Sequence, residues 1–142
     1  MLYIDTSSFL KLILTEPESP ATRQAVHLES IILVSTLTEL ETSSQLRGAW
    51  IGGRLSKSEY SRSVARFQDL LDMHPFRRIS LPGNVFDHAL SQLHAHLKLH
   101  CRSLDRLHLA AMEQLGIDRL MTHDTQQCNA AKALGIQVVT PV

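Results

Sequence analysis

Five short apolar runs, each separated from the next by at least one helix-length amphipathic segment, constrain this chain more than any other feature. The runs fall at residues 2–5, 31–35, 76–81, 120–122 and 136–140. They are mostly continuous in aliphatic residues rather than alternating with polar ones. A strand with one face in water alternates, whereas a continuous run is buried on both faces. A parallel sheet covered by helices meets that condition, because parallel strands need crossover connections that lie on the sheet's faces.

Helices are expected over residues 9–14, 20–29, 36–51, 56–71, 85–99, 104–115 and 125–134. Local signals support several of their ends. Pro20 sits near a first turn, where its missing N–H costs nothing. Gly52-Gly53, Gly116 and Gly135 follow helical runs as stops. Ser56-Lys57-Ser58-Glu59 has the capping-box spacing, a hydroxyl followed three residues later by a glutamate. The fold class that results is α/β. It is a three-layer α/β/α arrangement around a central parallel sheet of about five strands, with a protruding helix pair over residues 36–71. At 142 residues the chain makes one domain, 1–142, with no internal linker.

An apolar fraction of 44% with 20% charged residues argues against disorder. No apolar run approaches the roughly 20 residues of a membrane span. Met1-Leu2-Tyr3-Ile4-Asp5 lacks the positive region of a signal peptide. Cys101 and Cys128 are too few for a disulfide framework and read as reduced thiols of a cytoplasmic protein. Formal net charge is zero, without the overall basic excess common in nucleic-acid binders. The charge is nevertheless uneven. Residues 1–41 carry six acidic and two basic side chains, and residues 42–80 carry seven basic and three acidic. An acidic pocket beside a basic ridge suits a metal site next to a polyanion, although solvated helix faces would produce the same numbers.

Open α/β sheets bind ligands beyond the carboxyl ends of their strands. Asp5 ends the first strand. Ser35 ends the second, with Glu39 and Glu41 in the helix that follows. Thr122 and Asp124 end the fourth, and Asp105 opens the helix before it. Taken singly, Asp5, Asp105 and Asp124 are each explained as a turn or helix N-terminal residue. Together they crowd carboxylates at one edge, where mutual repulsion would raise their pKa values unless a cation intervened. An oxygen-only donor set suits Mg²⁺ or Mn²⁺, and metal-activated water is the natural agent of phosphodiester hydrolysis. Glu39 and Glu41 lie about 200° apart on a helix, so only one can face such a site, and periodicity leaves both open.

Other motifs point elsewhere or nowhere. There is no phosphate-binding glycine loop of either common type, and Ser7 and Ser8 lack a nucleophile-elbow setting. His96 and His100 have the i, i+4 spacing of a shared metal, and His94 and Cys101 lie nearby. The absence of a preceding acidic base favours a histidine-rich helix surface over zinc. His108, one turn after Asp105, reads as a histidine at the edge of the core rather than a partner of that acid. Lys11, Arg47, Arg54 and Arg102 are candidate RNA phosphate contacts. Aromatic residues make up only 5%, too few for extensive base stacking. Trp50, Tyr60 and Phe67 form either a surface patch that could grip a partner segment or plain helix–helix core.

Four strings carry a resemblance. They are Asp5-Thr6-Ser7 after an apolar strand, Ser35-Thr36-Leu37-Thr38-Glu39-Leu40-Glu41 after the second, Ser103-Leu104-Asp105-Arg106-Leu107-His108-Leu109-Ala110, and Thr122-His123-Asp124. In order and spacing they resemble the PIN-domain family, and within it the VapC-type toxins of prokaryotic toxin–antitoxin pairs. Arg106 departs from the small or apolar residue usual in the family at that place. The resemblance implies a Mg²⁺- or Mn²⁺-dependent endoribonuclease with Asp5, Glu41, Asp105 and Asp124 as its acids. Its spacing favours Glu41 over Glu39, with Thr6, Ser7 and Thr122 in support. It also implies inhibition by a cognate antitoxin and a homodimer that joins the antitoxin in a hetero-oligomer. Two rival functions remain at this level. One is a non-catalytic partner subunit that tunes an antitoxin's DNA binding. The other is a metal-dependent phosphohydrolase acting on a small substrate.

Overall fold

The first strand, β1 (Leu2–Ile4), occupies the middle of the sheet in the computed structural model, which describes residues 1–96 and 98–142. The other strands are β2 (Ile32–Ser35), β3 (Phe76–Ile79), β4 (Arg119–Met121) and β5 (Gln137–Val139). All pairings are parallel, in the order β3-β2-β1-β4-β5. The helices are α1 (Thr6–Ile13), α2 (Ser19–His27), α3 (Thr36–Ile51), α4 (Lys57–Asp72), α5 (Val85–Ala95), α6 (Ser103–Gln114) and α7 (Thr125–Ala133).

Strand side chains alternate between two cores, so the pleat accounts for the three layers. Leu2 and Ile4 of β1, Ile32 and Val34 of β2 and Met121 of β4 pack with Phe9, Leu12, Leu46 and Phe67 from α1, α3 and α4. Tyr3, Leu33 and Leu120 point to the opposite face and meet Leu109 and Met112 of α6 and Ala130 and Ala131 of α7. Both faces of the central strands are therefore dry, which is why their runs carry no polar alternation. A smaller cluster of Leu37, Val85, Ala89, Leu107, Ala110 and Ala111 joins α3, α5 and α6.

The α3–α4 hairpin is closed by the capping box, with Ser56 Oγ accepting from the Glu59 N–H and Glu59 Oε2 accepting from the Ser56 N–H. Gly116 and Gly135 take φ of +66° and +78°, the left-handed conformation that a helix stop demands of its glycine. Among the described residues no helix is long and apolar enough to cross a membrane.

Four local expectations need correction. Helix α1 starts at Thr6 rather than residue 9, because Asp5 caps it and the hydroxyl-rich Thr6-Ser7-Ser8 forms its first turn. Strand β3 stops at Ile79, where its pairing with β2 ends at Ser35. Helix α5 stops at Ala95, four residues early; Leu97, part of the expected extension, lies outside the described residues. His96 and His100 therefore do not share a helical face, and the i, i+4 pairing read from the sequence does not arise. Of the two readings of Trp50, Tyr60 and Phe67, the core reading holds for Phe67, with Tyr60 packed against that core, while Trp50 and Tyr60 stack at 4.8 Å. Phe67 packs edge-on against Phe9 at 5.8 Å inside the core.

Candidate active site

Because β1, β2 and β4 are adjacent and parallel, their carboxyl ends open on one edge of the sheet, and each hands the chain directly to a helix. Helix N-termini present unpaired N–H groups and need caps. Asp5 Oδ1 accepts from the Ser8 N–H at 3.0 Å, Ser35 Oγ from the Thr38 N–H at 3.1 Å, and Asp124 Oδ1 from the Gln127 N–H at 2.9 Å. Asp105 lies in the first turn of α6. The capping roles that explain these acids one at a time also aim them, with positive helix ends, at a common cleft of about 200 Å³. Asp5, Glu41, Asp105 and Asp124 all line it, with Thr6 and Ser7. Thr122 stands behind, bonded to Asp5.

Asp5 is only 2% exposed. Its carboxylate is held by three donors: the Ser8 N–H, the Ser7 hydroxyl at 2.8 Å and the Thr122 hydroxyl at 2.7 Å. A carboxylate offers about four lone-pair directions, so three donors do not saturate it. Burial pushes the Asp5 carboxyl above its ordinary range, and the bonds from Ser8, Thr122 and Ser7 only partly offset that cost.

Glu41 reaches the cleft from α3. Burial pushes its carboxyl up, but hydrogen bonds from His108 at 2.7 Å and the Thr6 hydroxyl at 2.6 Å outweigh it, and the net shift is downward. His108 is 1% exposed. Its Nε2 faces the Glu41 carboxylate and so carries a hydrogen, while its Nδ1 lies 2.7 Å from the Tyr3 hydroxyl. That hydroxyl also bonds Ser35 Oγ at 2.7 Å, and burial raises its pKa so that it stays protonated. Tyr3, His108 and Glu41 form a buried polar line from the central strand to the cleft. Glu39, by contrast, forms a two-pronged ion pair with Arg78 at 2.8 and 2.7 Å and does not line the cleft.

Arg102 closes the opposite wall. Its Nε donates to Asp105 Oδ2 at 2.8 Å and its Nη2 to Asp124 Oδ2 at 2.6 Å. Asp105 is buried, yet the Arg102 side chain is 66% exposed. The other basic candidates lie elsewhere. Lys11 is held by Glu16 and Glu18 at 2.6 and 2.8 Å, and Arg47 and Arg54 are exposed on the α3–α4 hairpin; none of these three lines the cleft.

The donor set fits a hard divalent cation in kind: four carboxylates, no soft ligand, and one buried carboxylate whose charge is poorly compensated. Among the described residues no three acids, histidines or cysteines close to metal-binding distance. Arg102 is the cation that stands between Asp105 and Asp124.

Several lining and supporting residues escape a reading of the sequence. Gln45 and Gln127 border the cleft. His108 is not merely a core-edge residue, since it bonds Glu41 of another helix rather than Asp105 of its own. One signal for it is present. A tyrosine inside a fully buried strand must find its hydroxyl a partner, and Tyr3 finds His108.

The PIN domain family model matches residues 2–133. Ribonuclease VapC46 of Mycobacterium tuberculosis is 32% identical over 146 aligned residues, covering 99% of this chain and 97% of that protein. Ribonuclease VapC35 of the same species is 31% identical over 147 aligned residues. Among solved structures, Mycobacterium tuberculosis VapC20, described as a Sarcin-Ricin loop cleaving toxin, superposes with a TM-score of 0.76 at 17% identity over 99% of this chain and all of that one. VapBC2 from Rickettsia felis, bound to a DNA fragment from its promoter, gives 0.73 at 12% identity, with both chains fully covered. The full-length matches, and acids gathered at three parallel strand ends, lead to one assignment: the chain belongs to the PIN-domain family, in its VapC-type branch.

Proposed function

We propose that the protein is the toxin of a toxin–antitoxin pair and an endoribonuclease that hydrolyses RNA with Mg²⁺ or Mn²⁺ held by Asp5, Glu41, Asp105 and Asp124. The observation that carries this reading is the meeting of those four carboxylates in one cleft rimmed by helix N-termini, on a chain whose full-length relatives are named ribonucleases. When bound, the divalent cation supplies an activated water and charge stabilisation at the phosphoryl group.

The protein's own groups prepare that chemistry. Ser7, Ser8 and Thr122 fix the Asp5 carboxylate without saturating it. Thr6 and His108 hold Glu41 ionised and oriented. The N-termini of α1, α6 and α7 add positive potential where a phosphate would enter. Arg102 is the basic candidate placed to meet that phosphate; Arg47 and Arg54 would extend the contact along the hairpin and Lys11 along the acidic side. A cognate antitoxin, a homodimer and a cytoplasmic site of action belong to the same reading. Solved relatives include toxin–antitoxin complexes, one of them from Klebsiella pneumoniae.

The test is incubation of the partner-free protein with total cellular RNA in Mg²⁺, Mn²⁺ or EDTA, beside Asp105→Asn. Discrete metal-dependent fragments that fall at least about 100-fold in the variant, with its melting temperature little changed, are the expected result. Undiminished cleavage by Asp105→Asn would refute the site.

A further inference from the structure

We propose that Arg102 is the resident counter-cation of the cleft, bridging Asp105 and Asp124 in the metal-free protein and competing with the divalent ion for the same two carboxylates. This rests on the metal-site reading above and adds to it a determinant of metal affinity supplied by the chain itself.

The geometry that points to it is unusual for an arginine. Arg102 occupies the N-cap position of α6, with φ −64° and ψ 157°, and makes no side-chain cap. A cation at a helix N-terminus opposes the dipole, so the position by itself disfavours a guanidinium. It is nevertheless held on two acids from different helices, at 2.8 Å to Asp105 and 2.6 Å to Asp124. The planar fork suits two carboxylates in a way that the point charge of lysine does not.

Two features make the bridge exchangeable rather than structural. The side chain is 66% exposed, so it can swing into water without opening the core. The carboxylates it holds are already aimed by their own helices: Asp124 keeps its cap bond to Gln127 through Oδ1 and gives Arg102 only Oδ2. Displacing the guanidinium therefore frees oxygens without unfolding anything. Metal entry must first break this pair, and the metal-free protein is spared the repulsion of two bare acids. Both effects weaken apparent metal affinity, and removing Arg102 reverses both.

The test is calorimetric titration of Mn²⁺ into metal-stripped wild type, Arg102→Ala, Arg102→Lys and Asp105→Asn at fixed ionic strength, with melting curves in EDTA and in Mn²⁺. Arg102→Ala is expected to bind Mn²⁺ roughly two- to fivefold more tightly, the scale of losing a partly exposed ionic bridge. Arg102→Lys should lie between it and wild type. Arg102→Ala should also melt lower in EDTA and gain more from Mn²⁺. Wild-type or weaker Mn²⁺ binding by Arg102→Ala, alongside impaired binding by Asp105→Asn, overturns this inference alone. Absence of Mn²⁺ binding in wild type, or undiminished binding by Asp105→Asn, overturns the metal-site reading and this inference with it.

Discussion

The Tyr3 hydroxyl stands one link behind Glu41, as the partner of the histidine that bonds it. Tyr3 sits on the central strand with no exposed surface, and its hydroxyl is the hydrogen-bond partner of His108 Nδ1 at 2.7 Å. Replacing Tyr3 by Phe leaves the ring's packing intact but strands a buried imidazole nitrogen. The expected loss is about 1–3 kcal/mol in a urea or thermal melt. Cleavage should fall as well, because the imidazole that orients Glu41 loses its anchor. A Tyr3→Phe protein with wild-type stability would show that His108 finds another partner. This line of groups is also where a reading of the sequence reaches its limit. Asp5, Asp105 and Asp124 can be named because strand ends and helix starts leave local marks, whereas Glu41 is preferred to Glu39 only through the family resemblance. The bond from Tyr3 to His108 joins residues 105 apart; a buried tyrosine signals that its hydroxyl needs a partner, but nothing local names His108 as that partner. Arg102 is legible as a phosphate-binding candidate, while its bridge to Asp124 exists only once β4 and α6 lie side by side.

Elements are easiest to read where the chain punctuates itself. The Ser56–Glu59 box and the glycines at 116 and 135 mark their helix ends without reference to the rest of the molecule. Helix α5 carries no such stop after Ala95, so its end is not marked in the sequence. The start of α1 is hidden because Thr6, Ser7 and Ser8 are poor interior helix residues that become good first-turn residues once Asp5 caps them. The capping box makes a clean prediction at this scale. Ser56 is exposed at the start of α4, so Ser56→Ala should remove only the side-chain oxygen that accepts from the Glu59 N–H. The expected cost is about 1 kcal/mol, read as a lower melting temperature with unchanged cleavage. A change in activity would mean that the α3–α4 hairpin takes part in substrate handling beyond its fold.

At the scale of the whole molecule, the ion pair between Glu29 and Arg119 ties segments 90 residues apart, with both carboxylate oxygens paired at 2.9 and 2.7 Å. It fastens the segment after α2 to the first residue of β4. The Arg119 hydrogen bonds hold the Glu29 carboxyl below its ordinary value. A carboxyl lowered in the folded state contributes stability above its unfolded pKa, near 4.3, and loses it as pH falls through the lower folded value. Glu29→Gln should therefore cost about 0.5–1 kcal/mol at pH 7, given the partial exposure of the pair. The difference from wild type should shrink as pH falls through the lowered folded-state value, measured by denaturant melts across the acid range. An unchanged difference at low pH would assign the effect to packing rather than charge.

Placing the first strand in the middle of the sheet also sets a timetable for biosynthesis. The ribosome delivers β1 before any of its neighbours, and β1 waits for β2 on one side and, more than a hundred residues later, for β4 on the other. Asp5 emerges directly after β1, whereas Asp124 follows β4. Pairings so far apart in the chain form late. A nascent chain halted at the end of α5 has Asp5 and Glu41 but neither Asp105 nor Asp124, and it has no cleft. The proposed nuclease thus stays inert until the segment that carries Asp105 and Asp124 has left the ribosome and β4 has joined the sheet.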